Sequence, residues 1–433
     1  MDLDSSIIII GAGTWGCSTA LHLARRGYKN VIVLDRFPVP SPISAGNDIN
    51  KIVEEGSFSS SDDPEDEDVS NILLDLATKG WISDPLFTPF YHDTGYIVCA
   101  HTPAGLEQLT THEGITPSST DFEWLSTPAD FRATMPPGVL TGSFPGWKGG
   151  FKRKGAGWVF ARGALVAAYE EASRLGVIFI TGPDGDVKSL LSSPDGAITG
   201  AETASGSKYT ADTTILAAGA TAPQLLDMKD QLRPTAWTLA HIKMSKEECA
   251  LYKNLPVLFN IESGFFMEPD ATNGELKICD EHPGYTSFLP ATKTSIPFSK
   301  HQIPLEAETR VREFLADTMP QLKDRPFSFA RICWCADTPD RNFLICRHPE
   351  KKNLVLAVGG SGHGFMHITS VGGFVVDEME GVLDARLKKA FRWRPETAIA
   401  RDWTDVQNRR GGPNRVMDFG DVGEEGWTAI PAR

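Results

Sequence analysis

The sequence contains no hydrophobic run that approaches the ~18 apolar residues of a membrane-spanning helix. It also lacks a polybasic block: 42 lysines and arginines stand against 56 aspartates and glutamates, which gives a formal net charge of −14 at pH 7. This balance argues against nucleic acid or an anionic membrane as a partner. Residues 1–4 are acidic where a secretory signal would be basic, and residues 431–433 do not form a peroxisomal address of the Ser-Lys-Leu type. We therefore expect a cytoplasmic protein.

Cysteine is scarce, and its seven copies are scattered along 433 residues. An odd number of cysteines in a chain of this length indicates a reducing compartment rather than a disulfide framework. Cys333 and Cys335 are too close together for the usual paired-cysteine zinc patterns, and no histidine pair completes a site. We expect no metal.

A glycine-rich turn near the N-terminus is the strongest local pattern. Residues 7–16 read IIIIGAGTWG, in which four β-branched residues predict a buried strand and three glycines follow at the G-x-G-x-x-G spacing. Gly11 permits the tight turn, Gly13 lets a pyrophosphate approach the backbone, and Gly16 lets the following helix pack closely on the strand. The helix is predicted over residues 14–26, with its N-terminus facing the anion.

An acidic residue completes this pattern. Residues 31–34 predict a second strand, which ends in Asp35, close to the roughly 20-residue spacing expected of a carboxylate that binds the adenosine ribose. The series of strand, glycines, helix, strand and acid predicts a dinucleotide site. It does not by itself separate NAD from FAD.

Two later segments favour a flavin dinucleotide. Residues 213–220 predict a strand that ends in small residues, where the backbone can press against a ligand, as in flavoproteins of the glutathione-reductase type. Residues 353–365 then repeat the arrangement of a strand followed by a glycine-rich turn, which indicates another wall of the same cofactor site.

The remaining segments are predicted from periodicity and composition. We expect an ordered loop over the cofactor at 38–50, an exposed acidic loop at 57–68, helices at 69–80 and 164–175, a strand at 94–100, a buried strand at 177–180, a hairpin at 186–203, and short alternating strands at 225–331.

The predicted fold class is α/β, with a Rossmann FAD-binding domain of the glutathione-reductase type and a second, antiparallel-sheet (α+β) substrate domain that is discontinuous in sequence. We assign residues 1–94, 155–224 and 332–433 to the first domain, and residues 95–154 and 225–331 to the second. We expect the protein to be a monomer.

With these pieces in hand, the chain resembles the fungal fructosyl amino acid oxidases, or amadoriases, which are related to monomeric sarcosine oxidase. The resemblance covers nearly the whole length and rests on five strings: GAGTWG at 11–16, SAGNDINK at 44–51, KICDEHPG at 277–284, CWCADT at 333–338 and GGPNR at 411–415. It implies oxidation of Amadori products by FAD, with hydride transfer to flavin N5, hydrolysis of the imine to glucosone and free amine, and reoxidation by oxygen to hydrogen peroxide.

The resemblance also implies roles for single residues. Cys333 matches the family cysteine bonded through sulfur to the flavin 8α-methyl, while Cys335 competes because both point to one face of a strand. Lys51 matches the lysine that faces the flavin, where an ammonium would stabilise superoxide. In all, the expected cofactor-binding residues are Gly11, Gly13, Thr14, Trp15, Gly16, Asp35, Ser44, Asp48, Lys51, Val187, Gly219, Cys333, Gly362, Gly364, Phe365 and Met366.

The resemblance further implies four substrate-site features. Glu281 contacts the fructosyl moiety or its amine, Arg409 binds the amino-acid carboxylate through its planar fork, and Trp237 walls the sugar site. Arg410 leaves the register of the arginine open. Met366 departs from the family, because close relatives carry a carboxylate-binding lysine there, so a preference for free fructosyl amino acids is in doubt.

Two other functions stay open at this stage. One is a flavin oxidase of another secondary amine of the sarcosine or pipecolate type, and the other is a flavin-binding homologue that has lost catalysis.

Overall fold

The computed structural model describes residues 2–54, 64–281, 284–289, 294–399 and 416–429. Its α-helices are α1 (Thr14–Arg25), α2 (Pro64–Ser83), α3 (Pro103–Glu107), α4 (Pro128–Ala133), α5 (Ala161–Arg174), α6 (Lys246–Leu251), α7 (Leu305–Thr318), α8 (Val371–Glu380) and α9 (Ala385–Ala390).

The strands of the first half are β1 (Ser6–Ile10), β2 (Asn30–Asp35), β3 (Lys51–Glu54), β4 (Tyr91–His92), β5 (Tyr96–Ala100), β6 (Glu123–Leu125), β7 (Lys148–Lys152), β8 (Ala156–Val159), β9 (Ile178–Thr181), β10 (Val187–Ser192), β11 (Ile198–Thr203) and β12 (Lys208–Thr210). Those of the second half are β13 (Thr213–Leu216), β14 (Arg233–Lys243), β15 (Val257–Asn260), β16 (Gly264–Phe266), β17 (Glu275–Cys279), β18 (Tyr285–Thr286), β19 (Phe288–Leu289), β20 (Thr294–Ser295), β21 (Phe327–Asp337), β22 (Leu344–Arg347), β23 (Leu354–Val358) and β24 (Met417–Asp418).

The first sheet has the strand order β22-β23-β13-β1-β2-β9. Strand β1 lies inside this sheet and is parallel to both β13 and β2. Its isoleucines are buried, as is typical of a parallel strand covered on both faces. Helix α1 packs against α5 and α8 on one side of this sheet. The predicted Rossmann architecture is confirmed, and the predicted hairpin is present as the antiparallel pair β10–β11.

Two local predictions for the first half were wrong. Strand β9 is at the edge of the sheet and pairs only with β2, so Ile178 is 57% exposed rather than buried. The acidic segment predicted as a loop is helical from Pro64 onward, while residues 55–63 lie outside the described residues. Proline suits a first helical turn, because the N–H that it lacks has no partner within the helix there.

The second sheet has the order β24-β18-β14-β17-β16-β15-β5-β7-β6, and β21 pairs with β14. Most of its pairs are antiparallel, but β5–β15 and β18–β24 are parallel, so the sheet is mixed rather than antiparallel as predicted. These strands come from distant parts of the chain, and no hairpin dictates their direction.

Strand β21 connects the second sheet to the first at the cofactor side. It pairs with β14 along its whole length, and its later residues, 333–336, border a cavity that also touches the ends of β1 and β13. The predicted domain boundary between residues 331 and 332 falls inside this strand, and the domain assignment stays a prediction. Residues 36–50, all of which are described, contain neither helix nor strand, as expected of the loop over the cofactor.

Candidate active site

The glycine-rich turn after β1 forms the floor of a cavity of about 440 Å³. Gly11 has φ +104, and a Cβ added there would lie 2.6 Å from the carbonyl oxygen of Ala217. A Cβ on Gly16 would lie 1.8 Å from the carbonyl oxygen of Gly11, so only glycine lets α1 approach the strand. Gly13 is the N-cap of α1, and no side chain caps this end. The geometry therefore suits a pyrophosphate at the helix N-terminus.

The second glycine-rich turn closes the same cavity. The indole Nε1 of Trp15 donates a hydrogen bond to the carbonyl oxygen of Gly364 at 3.0 Å, which joins the two turns. The first cavity is lined by these predicted cofactor residues: Gly11, Gly13, Thr14, Trp15, Asp35, Ser44, Lys51, Val187, Gly219, Cys333, Gly362, Gly364 and Phe365. Gly16 lies behind the turn, whereas Asp48 and Met366 line a second cavity instead.

Asp35 stands at one end of the first cavity, where the adenosine would lie. Its carboxylate accepts hydrogen bonds from the backbone N–H groups of Ala12, at 2.7 Å, and Phe37, at 2.9 Å. Burial raises the pKa of Asp35, although these two bonds oppose the shift. Each carboxylate oxygen keeps a further lone pair, so the side chain can still accept from a ribose hydroxyl.

The opposite end of the first cavity carries the two candidate thiols. On β21, Cys333 stands opposite Trp237 of β14, and Cys335 stands opposite Thr235. Both thiols line both cavities, as expected of alternate residues on one strand face. Cys333 is buried and Cys335 is half-buried. The choice between them as the flavin ligand stays a prediction.

A second cavity, of about 450 Å³, adjoins the first. The two cavities share Lys51, Cys333, Cys335, Gly362 and Phe365. The sequence-predicted substrate residues Trp237, Glu281 and Met366 all line the second cavity. Arg409, Arg410 and the string at 411–415 lie outside the described residues.

Three charged groups meet at the junction of the cavities. The buried Asp48 Oδ2 lies 2.9 Å from Lys51 Nζ and 2.7 Å from Lys277 Nζ, and Lys277 also donates to the carbonyl oxygen of Asn50 at 2.8 Å. Burial opposes the charge on Asp48, but the two ammonium groups outweigh it and hold the pKa of Asp48 well below its usual value. Burial is the largest single influence on the pKa of Lys51 and lowers it, but the charge and hydrogen bond of Asp48 together with the charge of Cys333 raise it more, so the net pKa is raised. Asp48 and Lys51 are therefore both charged near neutral pH, and the ammonium of Lys51 lies beside Cys333 at the junction.

Two of the buried cations at this junction, Lys277 and Arg331, had no role predicted from the sequence. Lys277 stands two residues before Cys279 on β17, and Arg331 stands two residues before Cys333 on β21. Arg331 is 4% exposed, and its Nη1 donates to the carbonyl oxygens of Pro42 and Ser44, each at 3.3 Å. A cation at an inward position of an otherwise buried strand was the signal that could have found both.

No group of three or more histidine, cysteine, aspartate or glutamate side chains in the described part of the chain could hold a metal ion. Among the described helices, none is both long and apolar enough to cross a membrane.

The glycine cradle, the free helix N-terminus and the second glycine-rich turn define a flavin-dinucleotide site, and the comparisons with known proteins agree. The chain belongs to the FAD-dependent oxidoreductase family, whose model "DAO: FAD dependent oxidoreductase" matches residues 6–378.

Within that family the chain groups with the amadoriases. Its structure is similar to that of the fructosyl amine:oxygen oxidoreductase Amadoriase I from Aspergillus fumigatus, with 57% identity, a TM-score of 0.96, and coverage of 100% of this chain and 99% of that one. It is also similar to the deglycating enzyme fructosamine oxidase Amadoriase II from the same organism in complex with FSA, with 54% identity, a TM-score of 0.96 and the same coverage. A curated relative, L-saccharopine oxidase of Schizosaccharomyces pombe, is 29% identical over 420 residues, which cover 91% of this chain and 94% of the relative.

Proposed function

We propose that this protein is an FAD-dependent oxidase of Amadori products, namely fructosyl amino acids, amines or peptides. The observation that carries the proposal is the pair of adjoining cavities in a chain that matches fructosamine oxidases over its full length. The first cavity has the glycine cradle for a dinucleotide, and the second offers polar and aromatic side chains for a small polar substrate.

Three places along the first cavity have groups suited to three parts of FAD. The carboxylate of Asp35 would bind the ribose, the N-terminus of α1 would bind the pyrophosphate, and the isoalloxazine ring would lie near Lys51 and Cys333. When bound, the flavin accepts a hydride from the substrate carbon and is reoxidised by oxygen to give hydrogen peroxide.

The chain's own residues position the substrate and set the local charge. Glu281 and Trp237 face the second cavity, where they would hold the sugar or its amine. Lys51, fixed by Asp48, keeps an ammonium at the junction of the two cavities, where negative charge develops during reaction with oxygen. Arg409 stays our proposal for the carboxylate of the substrate.

We also propose that the flavin is covalent, joined through Cys333 Sγ to its 8α-methyl group, and that the protein acts as a monomer. Light scattering on the purified protein tests the monomer. The cytoplasmic location stays a prediction that cell fractionation would test.

Hydrogen peroxide release separates the candidate functions. Fructosyl valine and fructosyl propylamine should give peroxide, whereas sarcosine and pipecolate should give little. The similarity to L-saccharopine oxidase favours a second candidate, oxidation of another secondary amine, and a reversed substrate order would establish that one. A yellow protein that is inactive on all of these compounds would contradict both.

A further inference from the structure

Arg331 is a buried cation beside the cofactor cavity that has no role in the proposed chemistry so far. It lies on β21, two residues before Cys333, and is 4% exposed. Alternate residues of a strand share one face, so Arg331 points to the same side of the second sheet as Cys333 and Cys335. The rise along a strand places the Cα atoms of Arg331 and Cys333 roughly 7 Å apart.

The guanidinium of Arg331 contacts the loop at 36–50. Its Nη1 donates to the carbonyl oxygens of Pro42 and Ser44, each at 3.3 Å, and Ser44 lines the first cavity. The next residue, Ala45, also lines this cavity and packs against the buried cluster that contains Cys333. The charge of Arg331 therefore lies between β21 and a loop that forms part of the cavity wall.

Among the described residues, no carboxylate forms an ion pair with Arg331, and the nearby carboxylate of Asp48 is shared by Lys51 and Lys277 instead. A guanidinium keeps its charge in proteins, yet Arg331 has only two backbone carbonyl oxygens as hydrogen-bond partners. Its Nη2 is buried and has no partner in the described part of the chain. A buried charge without a counter-ion is costly, so this position favours an anion that the protein holds only together with its cofactor.

The charge of Arg331 acts on the junction of the two cavities. Burial is the largest influence on the pKa of Asp48 and raises it, while the charges of Lys277, Lys51 and Arg331, in that order, lower it. Burial is also the largest influence on the pKa of Lys51, and Arg331 is among the smaller influences that lower it. A buried charge is weakly screened, so one that acts on both residues also acts on a ring bound between them.

We propose that Arg331 is a positioning residue of the flavin site, which holds a permanent positive charge near the isoalloxazine ring and so favours the reduced, anionic form of that ring. Reduction by two electrons with uptake of one proton converts the neutral ring into an anion, and a fixed positive charge stabilises the anion more than the neutral ring. This inference rests on the position of the ring near Cys333 in the proposed function, and it is independent of the amine that the enzyme oxidises.

The test measures the two-electron reduction potential of the flavin in the holoenzyme against a reference dye, with xanthine and xanthine oxidase as the source of electrons. Arg331→Gln keeps an N–H donor for the loop but removes the charge, whereas Arg331→Lys keeps a donor and the charge. Arg331→Gln should lower the equilibrium constant for reduction about tenfold, which corresponds to a potential roughly 30 mV more negative. Arg331→Lys should stay within about threefold of the wild type.

The matched control is Arg312→Gln. Arg312 Nη1 likewise donates to two backbone carbonyl oxygens, those of Lys323 and Arg325, but Arg312 lines neither of the two cavities. This variant also loses one positive charge and should leave the potential unchanged. If Arg331→Gln fails to retain flavin, Arg331→Met replaces it, because an unbranched apolar chain fills the buried space without leaving a polar group unpaired.

Equal shifts of the potential in the charged and uncharged variants of Arg331, or no shift in either, would overturn the electrostatic role. Loss of flavin from every variant, Arg331→Lys included, would make Arg331 a structural residue and would overturn the proposal as well. The potential is measured without an amine substrate. A wild-type enzyme that releases peroxide from no fructosyl compound would therefore overturn the proposed function alone.

Discussion

At the scale of single residues, replacing Cys333 or Cys335 tests which thiol holds the flavin, because a covalently bound flavin stays with the denatured protein. The protein should stay yellow through acid precipitation if its flavin is covalent. Cys333→Ala should release the flavin into the supernatant, whereas Cys335→Ala should keep it in the pellet. Absorbance of the two fractions measures this, and an exchange of the two outcomes would move the flavin link to Cys335.

Lys51 is expected to act on the reaction with oxygen more than on the reaction with substrate. Its ammonium faces both cavities and is held by Asp48. Lys51→Met should therefore slow the reoxidation of reduced enzyme far more than its anaerobic reduction, because the charge that stabilises superoxide is gone. Stopped-flow absorbance of the flavin follows both steps, and Lys51→Arg should recover part of the oxygen rate. Equal losses in the two steps would make Lys51 a positioning residue only.

Met366 lies where a lysine would help to bind the carboxylate of the substrate. Its half-buried side chain packs against the hydrophobic core beside the first sheet and lines the second cavity. Met366→Lys would add a charge-assisted bond to a carboxylate, worth about 1.5–3 kcal/mol, or roughly ten- to a hundredfold in affinity. We expect this gain in the KM of fructosyl valine, because the carboxylate is remote from the bond that breaks.

The decarboxylated analogue of fructosyl valine is the control for Met366→Lys and should gain much less. Equal changes on the two substrates, or no change on either, would remove Met366 from the account of specificity.

At the scale of elements, the contact between α1 and the turn after β1 depends on Gly16. Gly16→Ala would force the Cβ against the Gly11 carbonyl, and overpacking of this kind typically costs about 1–3 kcal/mol. Because the same turn cradles the dinucleotide, the variant should retain less flavin and unfold at a lower temperature. Gly423→Ala is the matched control, since a Cβ there would meet nothing within 4 Å. A Gly16 variant with full flavin content and unchanged unfolding would contradict this view of the turn.

At the scale of the whole molecule, Asp48 joins the loop over the cofactor site to the second sheet. The loop at 36–50 supplies this carboxylate, and β17 of the second sheet supplies Lys277, 2.7 Å away, with each side chain 2% exposed. Asp48→Asn would leave two ammonium groups without their counter-charge, and breaking a buried pair costs about 3–5 kcal/mol. We expect a clear drop in unfolding temperature at pH 7, whereas Asp4→Asn, in an exposed pair with Lys29, should change little.

The difference in stability between the wild type and Asp48→Asn should depend on pH in one direction only. The pKa of Asp48 is lowered on folding, so its contribution is complete above its unfolded value of about 3.9 and is lost as the pH falls through the folded value. The wild type should therefore lose its advantage over Asp48→Asn only in strong acid. An advantage that disappears between pH 8 and 6 would point to another group.

The sequence by itself determined the features that depend on neighbours along the chain. Residues 7–16 specify strand, turn and helix because the isoleucines need burial and the glycines permit φ and packing that other residues resist. The strings at 44–51, 277–284 and 333–338 were also enough to predict the family, which the comparisons confirm.

Tertiary structure alone decided which distant residues share a site. The sharing of Asp48 by Lys51 and Lys277 joins positions 229 residues apart, and the burial that lowers the pKa of His367 includes an edge-on contact with Phe343. The exposed edge strand β9 and the parallel pair β5–β15 depend likewise on which strand lies beside which. The periodicity of the sequence predicts which face of an element is buried, but not which residues it packs against. Those packing partners determine the charge, the pKa values and the hydrogen bonds of the site.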